Sequence, residues 1–429
     1  MPFPTNTTPA PDPAATPELT PSLSQPAQPA FFPEVSRVAA PLVKSRFRRR
    51  GPRPPAPRWR TYLLHLALFF ITLLTTTLAG VQLTRGELNL LPLGIWGLPP
   101  APGPGEWARG LWFSLPFLGV LTVHEFGHYF TALRNRISSS LPYFIPFPLG
   151  LGTFGAVIRI RERIFSRREF FDIGVAGPLA GFLVAVPVLI YGFLTLPPLP
   201  DYLFKIHPDY AQYGASYGQY VYRARDLAQG LTLAKPLLYR LLEAAFADPA
   251  RLPHPLELLH YPVLLAGALA LFFTALNLLP IGQLDGGHIL YGLLGHRRFN
   301  RLSTLFFTGF IFYAGLGLFS LRTDAETWLY WGGPYALYLF VVFRRVLPGW
   351  RRAVLLGAAV WLAQLALAVA VPGILGNPGW LVFGLMLSRL TGIYHPPAPN
   401  EEPLSVGRRV LGWAMIGIFV LCFTPSPFK

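Results

Sequence analysis

The sequence predicts an all-α, polytopic membrane protein with about eight transmembrane helices, and three observations predict it. Of its 429 residues, 52% are hydrophobic and only 13% are charged, half the ~25% of an ordinary soluble domain. Mean hydropathy is +0.42. Several apolar stretches reach the ~20 residues needed to cross a bilayer, where the backbone must satisfy its hydrogen bonds internally, as a helix does.

Taken in order, residues 1–58 form a tail rich in Pro, Ala, Thr and Ser that turns basic at Arg46-Phe47-Arg48-Arg49-Arg50. Such a segment cannot bury a core and is expected to be disordered. It has no early apolar core with a cleavage site, so it does not read as a secretory signal, and little Arg near its start weakens a transit-segment reading without removing it. A bacterial inner membrane is the expected location. Apolar stretches follow at roughly 61–83, 110–133, 170–196, 261–281, 303–321, 328–343, 353–371, 374–390 and 408–424. The eighth is the weakest, because Asn377-Pro378-Gly379 interrupts it. The chain divides into a first helix and loop (59–104), a membrane core (105–295) and accessory C-terminal helices (296–429).

Net charge is +16, from 36 Lys+Arg against 20 Asp+Glu. The basic residues lie between apolar spans, so topology and contact with anionic headgroups of the bilayer account for them, and nucleic acid is not an expected partner. With a cytoplasmic N-terminus, the segments facing the cytoplasm hold 26 Lys+Arg and the opposite loops 9. That asymmetry sets the orientation. Trp107, Trp112, Trp328, Trp331 and Trp380 lie near predicted span ends and read as interface anchors. The lone cysteine, Cys422, excludes an intrachain disulfide and a thiolate zinc site, so any metal must be held by His and carboxylates. Nothing in the sequence sets an oligomeric state.

Two segments of the core depart from plain helix. Residues 143–161 run from Tyr143-Phe144-Ile145-Pro146-Phe147-Pro148 through a Gly-rich stretch to Gly155–Arg161, whose alternation and β-branching predict a strand. A strand at membrane depth must be buried in protein or line a cavity, so 143–161 reads as a small re-entrant β-hairpin. Residues 197–260 form a polar, Tyr-rich extramembrane insert with a helical patch near 235–247. At about 60 residues it is small for an independent domain. In the third span, Gly174, Gly177 and Gly181 share one helical face, where small residues allow close packing.

Chemistry concentrates in His124-Glu125-Phe126-Gly127-His128. On a helix the two His are one turn apart on one face, about 6 Å along the axis, and can reach one ion at about 2.0–2.1 Å. Glu125 lies close enough to address a water there, the logic of an HExxH zinc hydrolase. No other charge occurs from Leu111 to Leu133. A carboxylate at such depth costs about 3 kcal/mol or more, which marks it as functional rather than incidental. Catalytic zinc takes three protein ligands. The best third candidate is Asp285, in Asn277-Leu278-Leu279-Pro280-Ile281-Gly282-Gln283-Leu284-Asp285-Gly286-Gly287, which the topology brings to the same side as His128. An Asp-Gly turn residue is the competing reading, and the unfinished zinc site outweighs it.

Together these two motifs, HExxH in one helix and NxxPxxxLDG in another, resemble the site-2 protease family of intramembrane zinc metalloproteases. The resemblance is strongest over about 105–295. Gly152-Thr153-Phe154-Gly155 and Gly174-Val175-Ala176-Gly177-Pro178 are similar to a branch with plastid and bacterial members that lacks a PDZ domain. It implies one Zn2+ ion held by His124, His128 and Asp285, with Glu125 as general base and Asn277 contacting substrate or the developing oxyanion. It also implies a three-helix catalytic core and a membrane-protein substrate cut within the bilayer, as in regulated intramembrane proteolysis. His288, just beyond the motif, reads as a solvent-facing residue at a helix start or a donor to the ligands. A metal transporter would need a polar path that the other spans lack, and a silent binder would not need Glu125.

Overall fold

Each of the nine apolar stretches contains a helix in the structure, a computed structural model that describes residues 58–86, 101–222 and 232–427. The expected disordered tail lies outside these residues, apart from Arg58, which starts the first helix. The helices are α1 (Arg58–Thr84), α2 (Pro104–Arg134), α3 (Arg167–Leu194), α4 (Leu203–Ile206), α5 (Tyr217–Val221), α6 (Leu237–Phe246), α7 (Pro262–Asn277), α8 (Asp285–Leu294), α9 (His296–Ala314), α10 (Ala325–Phe343), α11 (Trp350–Ala370), α12 (Gly379–Met386) and α13 (Val406–Cys422). By length and composition, three are long and apolar enough to cross a membrane: Trp59–Thr84, Arg167–Leu194 and Trp350–Ala370.

The helix boundaries follow local chemistry. A capping box starts α3: the Ser166 hydroxyl accepts from the Glu169 N–H at 3.2 Å, and the Glu169 carboxylate accepts from the Ser166 N–H at 3.0 Å. Within α1, Thr77 lies in an apolar helix, yet its hydroxyl has two partners. These are the Leu73 carbonyl at 2.7 Å and Ser114 of α2 at 2.7 Å, so the group both satisfies itself and ties two helices. The expected span 261–281 is shorter as a helix, because α7 ends at Asn277. Pro280 disfavours helix at the residue before it. Gly282 then adopts φ +60°, and a Cβ there would lie 1.9 Å from the Gly392 carbonyl oxygen. The chain turns and restarts as α8 with Asp285 as its first residue.

The expected hairpin is present as antiparallel β1 (Tyr143–Pro146) and β2 (Thr153–Val157), pairing Tyr143 with Val157, Phe144 with Ala156 and Pro146 with Thr153. The regular strand ends earlier than Arg161. Beyond Val157 only an isolated bridge, Ser139 with Ile160, continues the pairing. The hairpin is pinned to α1 by the His65 Nδ1–Pro142 carbonyl contact at 2.9 Å and by the Thr75 hydroxyl donating to the Gly152 carbonyl at 2.7 Å.

One apolar core joins α1, α2, α3 and α7 around Leu83, Phe113, Phe117, Leu189, Leu265 and Leu269. A second joins α9, α10 and α11 around Phe307, Ile311, Tyr335, Leu339 and Val360. The last helix, α13, packs on the first group: buried Met415 meets Phe171, Val175, Leu278 and Ile289. Arg408 also donates to both Asp172 oxygens, at 2.7 and 3.0 Å. Trp380 is not an interface anchor. It is buried, and its indole N–H donates to the Pro425 carbonyl.

Candidate active site

His124 and His128 sit on the face of α2 turned toward α3 and α8, and their Nε2 atoms are 3.0 Å apart. Asp285 reaches them because the break after α7 places it at the head of α8, with Oδ2 3.3 Å from each Nε2. Three residues separated by up to 161 positions therefore converge on one point. The glycine face of α3 makes this possible. A Cβ on Gly177 would lie 2.1 Å from His128 Nε2, and one on Gly181 would lie 3.2 Å from His124 Cβ. These positions do more than pack helices; they make room for the imidazoles.

The orientation of the His128 ring is fixed from behind. His128 Nδ1 lies 2.8 Å from the Ile173 carbonyl of α3. A carbonyl only accepts, so Nδ1 carries the hydrogen and Nε2 faces the cluster, the usual arrangement behind a metal-ligating histidine. Glu125 is buried, with Oε1 4.0 Å from His124 Nε2. A backbone hydrogen bond from Ile158, just past β2, reaches its carboxylate, which links the hairpin to the cluster. Asn277 Nδ2 is 3.5 Å from His124 Nε2, at the limit of a hydrogen bond. All five residues expected from the sequence thus surround one point.

The donor set suits a divalent ion. Ligand atoms at 2.0–2.1 Å in a tetrahedron stand about 3.3 Å from each other, against the observed 3.0, 3.3 and 3.3 Å. With neutral imidazoles, Asp285 and Glu125 bring two negative charges, and no Lys or Arg pairs with either among the described residues. Buried charges of one sign call for a counter-charge.

His288 is not solvent-facing, and its Nδ1 turns to His395 rather than to a ligand. It is half-buried, stacks on Phe170, and has Nδ1 2.9 Å from His395 Nε2. His395 arrives from the segment before α13, and its own Nδ1 lies 2.7 Å from the Pro396 carbonyl. Burial first, then His288 beside it, pushes His395 down to about 3, so it stays neutral and accepts from His288. Nothing in the sequence around His395 points to this contact.

Residues 112–321 match Peptidase family M50. The chain carries a domain of this family, the site-2 protease family. A relative named as the probable zinc metalloprotease EGY1, chloroplastic, of Oryza sativa subsp. japonica is 29% identical over 76% of this chain and 54% of its own length. The protein of that name in Arabidopsis thaliana is 30% identical over 70% of this chain and 49% of its own. A probable zinc metalloprotease EGY2, chloroplastic, of Oryza sativa subsp. indica is 30% identical over 46% of this chain. The chain spans about half the length of the two EGY1 relatives. No solved structure matches it. The M50 domain together with the long apolar helices makes this an integral membrane protein. The relatives named here are all chloroplastic, which lends no support to the bacterial inner membrane expected from the sequence.

Proposed function

We propose that the protein is a zinc-dependent intramembrane endopeptidase that hydrolyses peptide bonds in transmembrane segments of membrane proteins. The observation that carries this reading is the convergence of His124, His128 and Asp285 within 3.3 Å of one another, with the Glu125 carboxylate 4.0 Å away, in an otherwise uncharged helix segment. His124, His128 and Asp285 hold one zinc ion. Zinc, when bound, supplies Lewis acidity that polarises the scissile carbonyl and lowers the pKa of water toward 7.

The remaining work falls to the chain. Glu125 takes a proton from the attacking water as the C–O bond forms, and returns it to the amine as the C–N bond breaks. Asn277 donates from its amide to the oxygen on which negative charge develops. The substrate must be extended, since helical carbonyls are shielded, and the edge of the hairpin binds it as an added strand. The Ile158–Glu125 hydrogen bond supports this, because it sets the hairpin beside the reacting groups. Proline at the substrate-facing edge of β2 should impair cleavage, and unchanged turnover sinks the edge-addition step.

The catalytic unit is the core 105–295, within a membrane-embedded chain of about eight spans. Its partners are a membrane-protein substrate and the bilayer. The test is the Glu125→Gln variant: membrane-fragment proteomics should show substrate fragments with the wild type and not with the variant, while bound zinc stays at the wild-type level. Fragments persisting in the variant would overturn the assignment of the base.

A further inference from the structure

A second cluster of two imidazoles and one carboxylate lies outside the M50 motifs, on the extramembrane insert and its junction with α7. Glu257 and His260 belong to a short 3-10 helix, Pro255–His260. At three residues per turn, positions i and i+3 eclipse, so the two side chains stand on one face. His207, at the end of α4, comes from the other side of the insert. His207 Nε2 is 3.2 Å from His260 Nε2 and 3.6 Å from Glu257 Oε2, and His260 Nε2 is 3.3 Å from Glu257 Oε2. These separations again match the edges of about 3.3 Å expected between tetrahedral ligands.

We propose that His207, Glu257 and His260 bind a second divalent metal ion, zinc by their chemistry, at the opposite end of α7 from the first cluster. Three features beyond proximity support it. His260 Nδ1 lies 2.7 Å from the Thr84 carbonyl at the end of α1, so its hydrogen points there and Nε2 is left to coordinate, as for His128. Glu257 is 3% exposed, its Oε1 accepts from the Tyr222 hydroxyl, and Oε2 faces the two imidazoles. Tyr210 stacks on His207 with ring centroids 4.6 Å apart, holding the third ring. No Lys or Arg pairs with Glu257 among the described residues, so this buried carboxylate also calls for a cation.

Two imidazoles with one carboxylate favour zinc over the all-oxygen cages that calcium and magnesium take. Three protein ligands leave one position for water on the His207 side, where that side chain is 31% exposed. The ion clips the insert to the start of α7 and, through the Thr84 carbonyl, to the end of α1. None of its ligands belongs to the first cluster, so the two assignments stand or fall separately.

The experiment is zinc counting by elemental mass spectrometry on the full chain in detergent, with cobalt substitution as a spectroscopic check. Wild type should hold two zinc ions per chain. A His124→Ala/His128→Ala double variant should keep one, and on cobalt exchange should show the visible absorption of a tetrahedral site. Adding His207→Gln, which keeps a hydrogen-bonding side chain while removing a metal ligand, should abolish both. A double variant with neither zinc nor cobalt absorption overturns the second site, as does a cobalt signal indifferent to His207→Gln. An ion lost with His207→Gln in wild type but unaffected by His124→Ala/His128→Ala would support this site and overturn the first.

Discussion

The two clusters occupy the two ends of α7, whose 16 residues span about 24 Å. Each brings together two imidazoles and one carboxylate at nearly the same separations, by different local means. The core cluster uses the i, i+4 spacing of an α-helix and borrows its carboxylate from a helix start. The insert cluster uses the i, i+3 spacing of a 3-10 turn and borrows a histidine. Their surroundings differ more. The core imidazoles are backed by glycines of α3 and flanked by Glu125, Asn277 and the hairpin, whereas the insert residues are backed by Tyr210 and Tyr222. On the proposed reading, a ligand triad alone does not make a hydrolytic site. Among the described residues, the core cluster is set apart by the additional carboxylate at 4.0 Å and by the hairpin strand beside it.

Variants can test that contrast, beginning with the largest effect. Asp285→Ala should remove the core zinc and with it all measurable cleavage, leaving one zinc per chain at the insert by elemental analysis. Glu125→Gln should lower turnover by about 10²–10⁴-fold with both ions retained, since the base is not a ligand. Asn277→Ala should lower kcat by about 10²-fold, the loss of one oxyanion donor, with zinc content unchanged in a single-turnover assay. Gly177→Ala forces a Cβ to within 2.1 Å of His128 Nε2. The displaced ring should cost about 10²-fold in cleavage, while Gly119→Ala, with nothing within 4 Å of its Cβ, should match wild type. The smallest effect belongs to the insert: Tyr222→Phe removes the hydroxyl that orients Glu257, and should weaken the second ion by about 10-fold in a competitive chelator titration. Equal sensitivity of both ions to Tyr222→Phe would break the contrast.

The parts of this arrangement visible in the sequence are those encoded locally. His124, Glu125 and His128 fall within two turns of one apolar helix, so periodicity alone places them together, and the uncharged stretch around them marks their significance. Asp285 required matching the depths of two spans, and the break that delivers it is announced by Pro280 and Gly282. The hairpin was visible through its turn-rich centre, although the alternation of 155–161 outran the paired strand, which ends at Val157. The insert cluster was not visible. His207 and Glu257 lie 50 positions apart in a polar segment without strong periodicity, and a 3-10 turn leaves no clear pattern in composition. The same holds for His395, whose contact with His288 depends on where the chain before α13 is laid across the core.

For the proposed reaction, the absent side chain at Gly177 also sets a direction of approach. With the α3 backbone pressed against His128, that flank is shut to anything as wide as a peptide. On the proposed function, a substrate segment arriving at α3 would meet its main chain rather than the cluster. Approach is confined to the sides that α3 leaves clear, one of which is the flank where Ile158 meets Glu125. For the intramembrane protease proposed above, one missing methyl group would then restrict the side from which a substrate segment can reach the cluster.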